Sequence, residues 1–136
     1  TTILRICDKN FEQLQLFTVW TLYTGKIEIC YGENEFTVQA EGWQDYIVKY
    51  DAIESIAYEE NMFRDTNTIR TNGFGNLKYS MGHFRDEIHA DYIRYTHNDC
   101  DTYVVMEVEG STVILNGADD AQTREIYNNI RERMEK

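Results

Sequence analysis

Short segments in which apolar and polar residues alternate occur along most of this chain, and this two-residue period is the feature that most limits its fold. In IEICY, residues 27–31, Ile27, Ile29 and Tyr31 lie on one side, with Glu28 and Cys30 on the other. EFTVQA repeats the pattern after a turn that contains Gly32 and Asn34. Alternation of this kind is typical of half-buried strands, and Gly and Asn between two such runs favour a hairpin.

Further segments carry the same strand character, being rich in β-branched and aromatic residues. They are residues 3–7, 14–23, 46–50, 53–58, 88–96, 103–108 and 112–115. Several short strands at near-regular spacing, with polar turns between them, predict an antiparallel barrel or sandwich.

The C-terminal segment departs from this pattern, and we expect one helix over about residues 119–135. Ile126, Ile130 and Met134 recur every four residues, which gives a single apolar stripe at helical period. Asp119 and Asp120 provide a cap and negative charge at its start. With 136 residues, no Pro and no low-complexity run, the chain is predicted to form one domain over residues 1–136, closed by this helix.

The stretch RTNGFGNLKYSMGHF, residues 70–84, has two competing interpretations. Gly73 and Gly75 match the first half of a GxGxxG phosphate loop, but Lys78 stands where the third Gly belongs, and no helical stripe follows. No GK[ST] sequence occurs either. We therefore interpret Gly73, Gly75 and Gly82 as structural glycines that permit positive φ, bulges or close strand crossings.

The middle and C-terminal parts of the chain contain a spaced set of residues between positions 47 and 133. The set comprises Ile53, Ile56, Arg70, Gly73, Gly75, Gly82, Phe84, Tyr92 or Tyr95, and Thr96. This set resembles the bacterial pleckstrin-homology-like domain family. The resemblance implies a bent seven-stranded antiparallel barrel, built as two orthogonal sheets and capped by a C-terminal helix. The family often has Pro just before the helix, whereas this chain has none.

The formal net charge is −11, from 24 acidic and 13 basic residues. A surface of that sign repels phosphate backbones and anionic headgroups, so we expect neither nucleic-acid binding nor strong binding to anionic lipids. Headgroup capture needs clustered Lys and Arg, whereas Lys26 and Lys49 are isolated, and Arg64, Lys78 and Arg85 form only a loose group.

Sites for metals, cofactors and catalysis are not indicated. His97, Asp99, Cys100 and Asp101 fall in one turn, HNDCD, which cannot easily direct four ligands at one ion, and no second Cys or His pair is present. Cys100 with His97 lacks a third orienting group for nucleophilic catalysis. We therefore predict no metal, no cofactor and no enzymatic activity.

The three cysteines form no CxxC pair, which favours a reducing, cytoplasmic compartment, with Cys30 as a small core residue. No window approaches the roughly 20 apolar residues that cross a bilayer. The chain does not begin with Met, which leaves open a longer protein that is tethered to a membrane by segments outside this chain.

The function predicted from these features is a non-catalytic binding or assembly module that presents a surface to a protein partner or to its own copies. Phe63 and Phe74 lie in polar, loop-like contexts and are the candidate contact residues. Exposed strand edges favour self-assembly by β-augmentation. Two alternatives stay open. One is a cytoplasmic module of a larger membrane-associated protein. The other is small-molecule binding in an aromatic pocket that could be lined by Trp20, Tyr23, Tyr46, Tyr50, Tyr58, Tyr92 and Tyr95.

Overall fold

The computed structural model describes residues 26–135 of the protein. The elements of this range are β1 (Ile27–Tyr31), β2 (Glu35–Ala40), β3 (Tyr46–Lys49), a 3-10 turn (Tyr50–Ala52), β4 (Ile53–Glu60), β5 (Ile69–Gly75), β6 (Tyr79–Asp86), β7 (Ala90–His97), β8 (Thr102–Val108), β9 (Ser111–Leu115) and helix α1 (Asp120–Met134). The predicted mainly β fold with one C-terminal helix is confirmed.

Strands β1, β2 and β3 form a three-stranded antiparallel sheet in that order. The alternation in β2 determines which side faces the core, because Phe36 and Val38 are fully buried and Ala40 nearly so, while the residues between them are half-buried. The hairpin between β1 and β2 closes where Tyr31 lies opposite Phe36. The predicted hairpin in this segment is therefore confirmed.

The other strands form a six-stranded sheet in the order β4-β8-β9-β7-β6-β5. Four of its neighbouring pairs are antiparallel, whereas β7 and β9 are parallel, with Ile93 opposite Val113 and Tyr95 opposite Leu115. The parallel pair arises because β8 and β9 form a hairpin that inserts between β7 and β4.

One hydrophobic core joins both sheets and the helix. It contains Phe36 and Val48 from the first sheet and Val104 and Leu115 from the second, together with Ile130 of α1, which is 0% exposed. The helix begins after Asp119 because the Asp119 carboxylate accepts a hydrogen bond from the Gln122 N–H, at 2.9 Å.

The glycine stretch forms the antiparallel β5–β6 hairpin and begins no helix. Gly73 lies opposite Gly82, and Gly82 has a φ of 108°. A Cβ atom at Gly82 would lie 2.6 Å from the Cα of Gly73 and 3.1 Å from Nε1 of Trp43. The two glycines thus allow the two strands and the Trp43 indole to approach closely, which links the β2–β3 loop to the second sheet.

Several expectations need correction. The two sheets do not close into a barrel, the described residues contain nine strands rather than seven, and the β7–β9 pair is parallel. The physical reason is that both sheets retain edge strands, since no described strand joins β3 or β1 to β5. The strands predicted over residues 3–7 and 14–23 lie outside the described residues.

The cysteine interpretation also changes. Cys30 is half-buried and disulfide-bonded, so it is not the free core thiol that the alternation suggested. Cys100 is free and buried, so the disulfide does not join the two cysteines of the described range. The cysteine pattern consequently no longer supports a reducing compartment.

Candidate functional site

The outer face of the six-stranded sheet, which is turned away from the main core, carries the most unusual group of side chains. Along β7, Ile93 and Tyr95 pack into or against the main core, so that Tyr92, Arg94 and Thr96 project to the other face. There a second hydrophobic cluster includes Phe84, Tyr92, Tyr103 and Ile114, with Met62 and Phe63 of the β4–β5 connection packed against it. We call Arg94 with Phe63, Phe84, Tyr92 and Tyr103 the Arg94 cluster.

The Arg94 guanidinium is surrounded by aromatic rings. Its central carbon lies 4.0 Å from the ring centroid of Phe63, 5.8 Å from that of Phe84 and 6.0 Å from that of Tyr103. The Nε–H donates a hydrogen bond to Oγ1 of the buried Thr96, at 2.6 Å. Each ring contact of this type stabilises a cation by about 0.5–2 kcal/mol.

This guanidinium is a buried charge without an ion-pair partner. Arg94 is 8% exposed, and among residues 26–135 no carboxylate oxygen lies within 4.0 Å of its nitrogens. Burial lowers the pKa of Arg94, and the neighbouring Tyr103 and Tyr92 oppose that shift only in part. Arg remains protonated even so, and withdrawing a charge from water costs several kcal/mol. The aromatic rings and Thr96 therefore compensate this charge only partially.

The Tyr92 hydroxyl is a second uncompensated group in the same cluster. Tyr92 is 3% exposed, and its buried hydroxyl makes no hydrogen bond of good geometry to any described residue. Burial raises the pKa of Tyr92; Thr68 and Arg94 lower it partly, and the nearby Asp86 carboxylate raises it further. These groups therefore lie around the hydroxyl without completing a hydrogen bond to it, and the hydroxyl is a buried donor without a partner among the described residues.

Asp86 is the acidic residue whose charge acts on Arg94, and its carboxylate is already hydrogen-bonded to other groups. Asp86 is 4% exposed, and its Oδ1 accepts hydrogen bonds from the backbone N–H of Ile88 at 2.9 Å and of His89 at 2.6 Å. Its carboxylate also lies 2.9 Å from Nδ1 of His89. Burial raises the pKa of Asp86, but the hydrogen bonds from His89 and Ile88 outweigh it, so the net pKa is lowered. Asp86 therefore holds the β6–β7 turn rather than pairing with Arg94.

The two predicted contact residues are not fully exposed. Phe63 is half-buried in the turn after β4 and packs edge-on against Tyr103, with ring centroids 5.0 Å apart. Phe74 lies within β5 rather than in a loop, and it is half-buried against the main core. The loop-like context assigned to Phe74 was therefore wrong, because β5 extends through the glycines to pair with β6. Whether either ring contacts a partner stays a prediction.

The residues of the HNDCD turn point to different places. His97 lies 5.2 Å from the Tyr79 ring, between ring centroids, while Cys100 is buried beside Thr123. Asp101 is exposed and pairs with Arg64 at 3.3 Å. In the described part of the chain no group of three or more His, Cys, Asp and Glu side chains is arranged to hold a metal ion. What holds this turn is Asn116, whose amide donates to the carbonyls of His97 and Cys100, both at 3.2 Å.

The six-stranded sheet ends in two edge strands, β4 and β5, which have different charges. Within residues 26–135, β4 pairs only with β8 and β5 only with β6. Glu54, Glu59 and Glu60 are exposed on β4, which carries no basic residue. Arg70 is exposed on β5, which carries no acidic residue. Each edge therefore offers unpaired backbone groups beside charge of one sign.

The aromatic residues considered for a pocket largely fill the protein interior. Tyr50, Tyr92 and Tyr95 are 7%, 3% and 2% exposed. A shallow groove of about 370 Å³ lies between β3 and the turn after β8, and it is lined by Tyr46, Ile47, Val48, Lys49, Ala52, Val108, Glu109 and Ser111. Trp20 and Tyr23 lie outside the described residues.

The chain matches no protein-family model, no curated protein and no solved structure at a significant level. Among the residues that the structure describes, no helix is long and apolar enough to cross a membrane.

Sequence analysis did not single out Arg94, Asp86 or His89. The only sequence signal for Arg94 is its position between Tyr92 and Thr96 on one face of a strand, where a charged residue normally indicates solvent. Its burial depends on the β4–β5 connection, which places Phe63 over that face, and this long-range contact has no local signature.

Proposed function

We propose that this protein is a non-catalytic assembly module that binds copies of itself through the two edges of its six-stranded sheet. The observation that carries this proposal is that these edges are open within residues 26–135 and carry opposite charge. The sheet thus offers complementary surfaces at its two ends, which is the requirement for head-to-tail association.

The direction of the edge strands suits such an arrangement. Four antiparallel pairings and one parallel pairing separate β4 from β5, so the two strands run in the same direction. A second copy that is translated across the sheet would therefore add its β4 beside β5 as a parallel neighbour. Parallel edge pairing is slightly weaker than antiparallel pairing, so the association should be weak.

The register of the sheet brings the opposite charges to the same level. The paired residues lead from Ile53 to Val108 and Ser111. Extending the β7–β9 register by two residues beyond Ile93 and Val113 places Ser111 level with Asp91, which leads on to Arg85 and Ile69, so that Ile53 and Ile69 lie at one height. The next residues along the two strands are Glu54 and Arg70, both exposed. Glu54 lies in a bulge of β4 between Ile53 and Ser55, so in the translated pair Arg70 of one copy would lie level with Ser55 of the next, directly beside Glu54.

Two features limit the strength of this interface. Bulges interrupt both edges, β4 between Ile53 and Ser55 and β5 between Arg70 and Asn72, and bulges shorten the regular edge available for pairing. The net charge of −11 also makes whole copies repel one another. We therefore expect association that grows with concentration and continues past the dimer, because a head-to-tail contact does not close.

Sedimentation equilibrium across a concentration series tests the proposal. The wild-type mass should rise continuously with concentration, while Arg70→Glu and Glu54→Arg should each remain monomeric. An equimolar mixture of these two variants should associate again, because each altered edge then meets an edge of opposite charge.

Lys49→Glu and Glu132→Arg are the matched controls, since both positions are exposed, lie off the two edges and change the charge by the same amount. Both controls should associate like the wild type. A wild-type protein that stays monomeric throughout the series, or a mixture that fails to associate, overturns the proposal. A mass that stops at the dimer and responds only to Arg70→Glu would indicate β5 pairing with β5 instead.

We propose further that the domain is of the bacterial pleckstrin-homology-like type, on the residue set Ile53, Ile56, Arg70, Gly73, Gly75, Gly82 and Phe84. The cytoplasmic location and the lack of nucleic-acid and strong lipid binding remain predictions. In support, Arg64 and Arg85 pair with Asp101 and Asp91, which reduces the basic charge free for headgroups. Sedimentation with anionic liposomes tests this, and strong, salt-sensitive binding would contradict it.

A further inference from the structure

We propose that the Arg94 cluster is a binding site for a small oxyanion, a carboxylate or a phosphate. The proposal rests on two residues that are each more than nine-tenths buried and incompletely bonded. They are Arg94, of which only Nε–H donates a hydrogen bond to a described residue, and Tyr92, whose hydroxyl has no partner among those residues. Both project from the same face of β7, two residues apart. This proposed binding site does not depend on the assembly proposed above, because the Arg94 cluster lies on the outer face of the sheet and not on either edge.

The donor chemistry selects an anion. Thr96 occupies the Nε–H of Arg94, which leaves the two terminal amino groups of the guanidinium without a protein acceptor among the described residues. A guanidinium presents paired N–H donors that match two oxygens of a carboxylate or phosphate, and the Tyr92 hydroxyl can donate to the same group. One anion could thus accept from one N–H of each terminal amino group and from the Tyr92 hydroxyl together.

The surroundings strengthen that contact. The rings of Phe63, Phe84 and Tyr103 lie around the guanidinium and reduce its contact with water, and charge-assisted hydrogen bonds are stronger where less water competes. Asp86 is near enough for its charge to raise the pKa of Arg94 and that of Tyr92, but its carboxylate accepts hydrogen bonds from His89 and Ile88 and none from the guanidinium. The net charge of −11 opposes anions at long range, but it is screened beyond about 10 Å at 0.1 M salt.

Phe63 restricts access to the site. Its ring lies 4.0 Å from the guanidinium carbon and sits on the turn between β4 and β5. An anion therefore reaches the terminal amino groups of Arg94 from a side that this ring does not cover, or after the ring moves aside. We expect small oxyanions such as acetate and inorganic phosphate to bind, with phosphate favoured if the site accepts a tetrahedral group and acetate favoured if the gap between the rings admits only a planar one.

Nuclear magnetic resonance tests the site directly. The Arg94 Nε–H, buried and bonded to Thr96, should give a side-chain signal that is protected from exchange. Titration with acetate and, separately, with inorganic phosphate at constant ionic strength should shift this signal saturably, whereas chloride should not. Tyr92→Phe should weaken the binding about tenfold, because it removes one hydrogen bond to a charged group.

Thermal unfolding in the same salts provides the second measurement. Either oxyanion should raise the melting temperature of the wild type and of Arg85→Met, an exposed arginine that serves as the matched control, but not that of Arg94→Met. Replacing an unpaired buried charge with an apolar side chain is often neutral or stabilising, so Arg94→Met should fold. Equal responses of Arg94→Met and the wild type, or an Arg94 signal that no oxyanion shifts saturably, would overturn the proposal.

Discussion

The close approach of β5 and β6 at their paired glycines can be tested by adding a single methyl group. Gly82 has a φ of 108°, and Gly110, in the turn after β8, has a φ of 85°. Alanine is strained at both positions. A Cβ atom at Gly110 meets no atom within 4 Å, whereas at Gly82 it would lie 2.6 Å from the Cα of Gly73 and 2.7 Å from the carbonyl oxygen of Asn72.

The expected magnitudes follow from that difference. Left-handed backbone conformations cost an L-residue about 1–2 kcal/mol, and this is the whole expected effect of Gly110→Ala. Gly82→Ala adds overpacking against backbone atoms that cannot rotate away, which typically costs a further 1–3 kcal/mol, roughly. The free energy of unfolding should therefore fall by about 2–5 kcal/mol in Gly82→Ala, which is a large part of the roughly 5–15 kcal/mol that stabilises a domain.

Urea unfolding followed by circular dichroism measures both variants. The difference between them isolates the contact, because both substitutions add the same methyl group at positive φ. Gly82→Ala should also change the fluorescence of Trp43, whose Nε1 would lie 3.1 Å from the new Cβ atom. If Gly82→Ala is no more destabilised than Gly110→Ala, the close approach of β5, β6 and Trp43 is not what requires glycine there.

Three further predictions concern the hydrophobic core, the start of helix α1 and the loss of stability at low pH. Ile130→Ala should lower the free energy of unfolding, measured in urea, by about 2–5 kcal/mol, because the side chain is 0% exposed. The control Ile88→Ala, at an exposed position, should change it by less than about 0.5 kcal/mol. Equal effects of the two substitutions would contradict the packing of α1. Asp119→Ala should cost about 1 kcal/mol in the same assay through loss of the N-cap, and no change would show that the cap is dispensable. Burial raises the pKa of Asp86, but the hydrogen bonds from His89 and Ile88 outweigh it and lower the pKa below its ordinary 3.8. As the pH falls, Asp86 is therefore protonated in the unfolded chain before it is protonated in the folded protein. Stability from Asp86 is then present above about pH 4 and is lost as pH falls through the lowered pKa, and Asp86→Asn should flatten this decline; an unchanged pH profile would contradict it.

The strands and the helix follow from local patterns that the sequence displays directly. Phe36 and Val38 alternate with half-buried residues, and a side chain on a strand repeats its direction every two residues, so this face could be assigned without coordinates. The helix over Asp120–Met134 likewise follows from a four-residue apolar repeat and the acidic cap before it.

The parallel pairing of β7 with β9 and the burial of Arg94 were decided only by the tertiary structure. Both depend on which distant segments meet: the β8–β9 hairpin inserts beside β7, and the β4–β5 connection lays Phe63 over the guanidinium. Local sequence fixes backbone preference and side-chain direction over a few residues, because those depend on sterics and periodicity. It does not determine which neighbour covers a given face, since that depends on the packing of the whole chain. An arginine in an ordinary alternating strand thus became a buried charge without an ion-pair partner among the described residues.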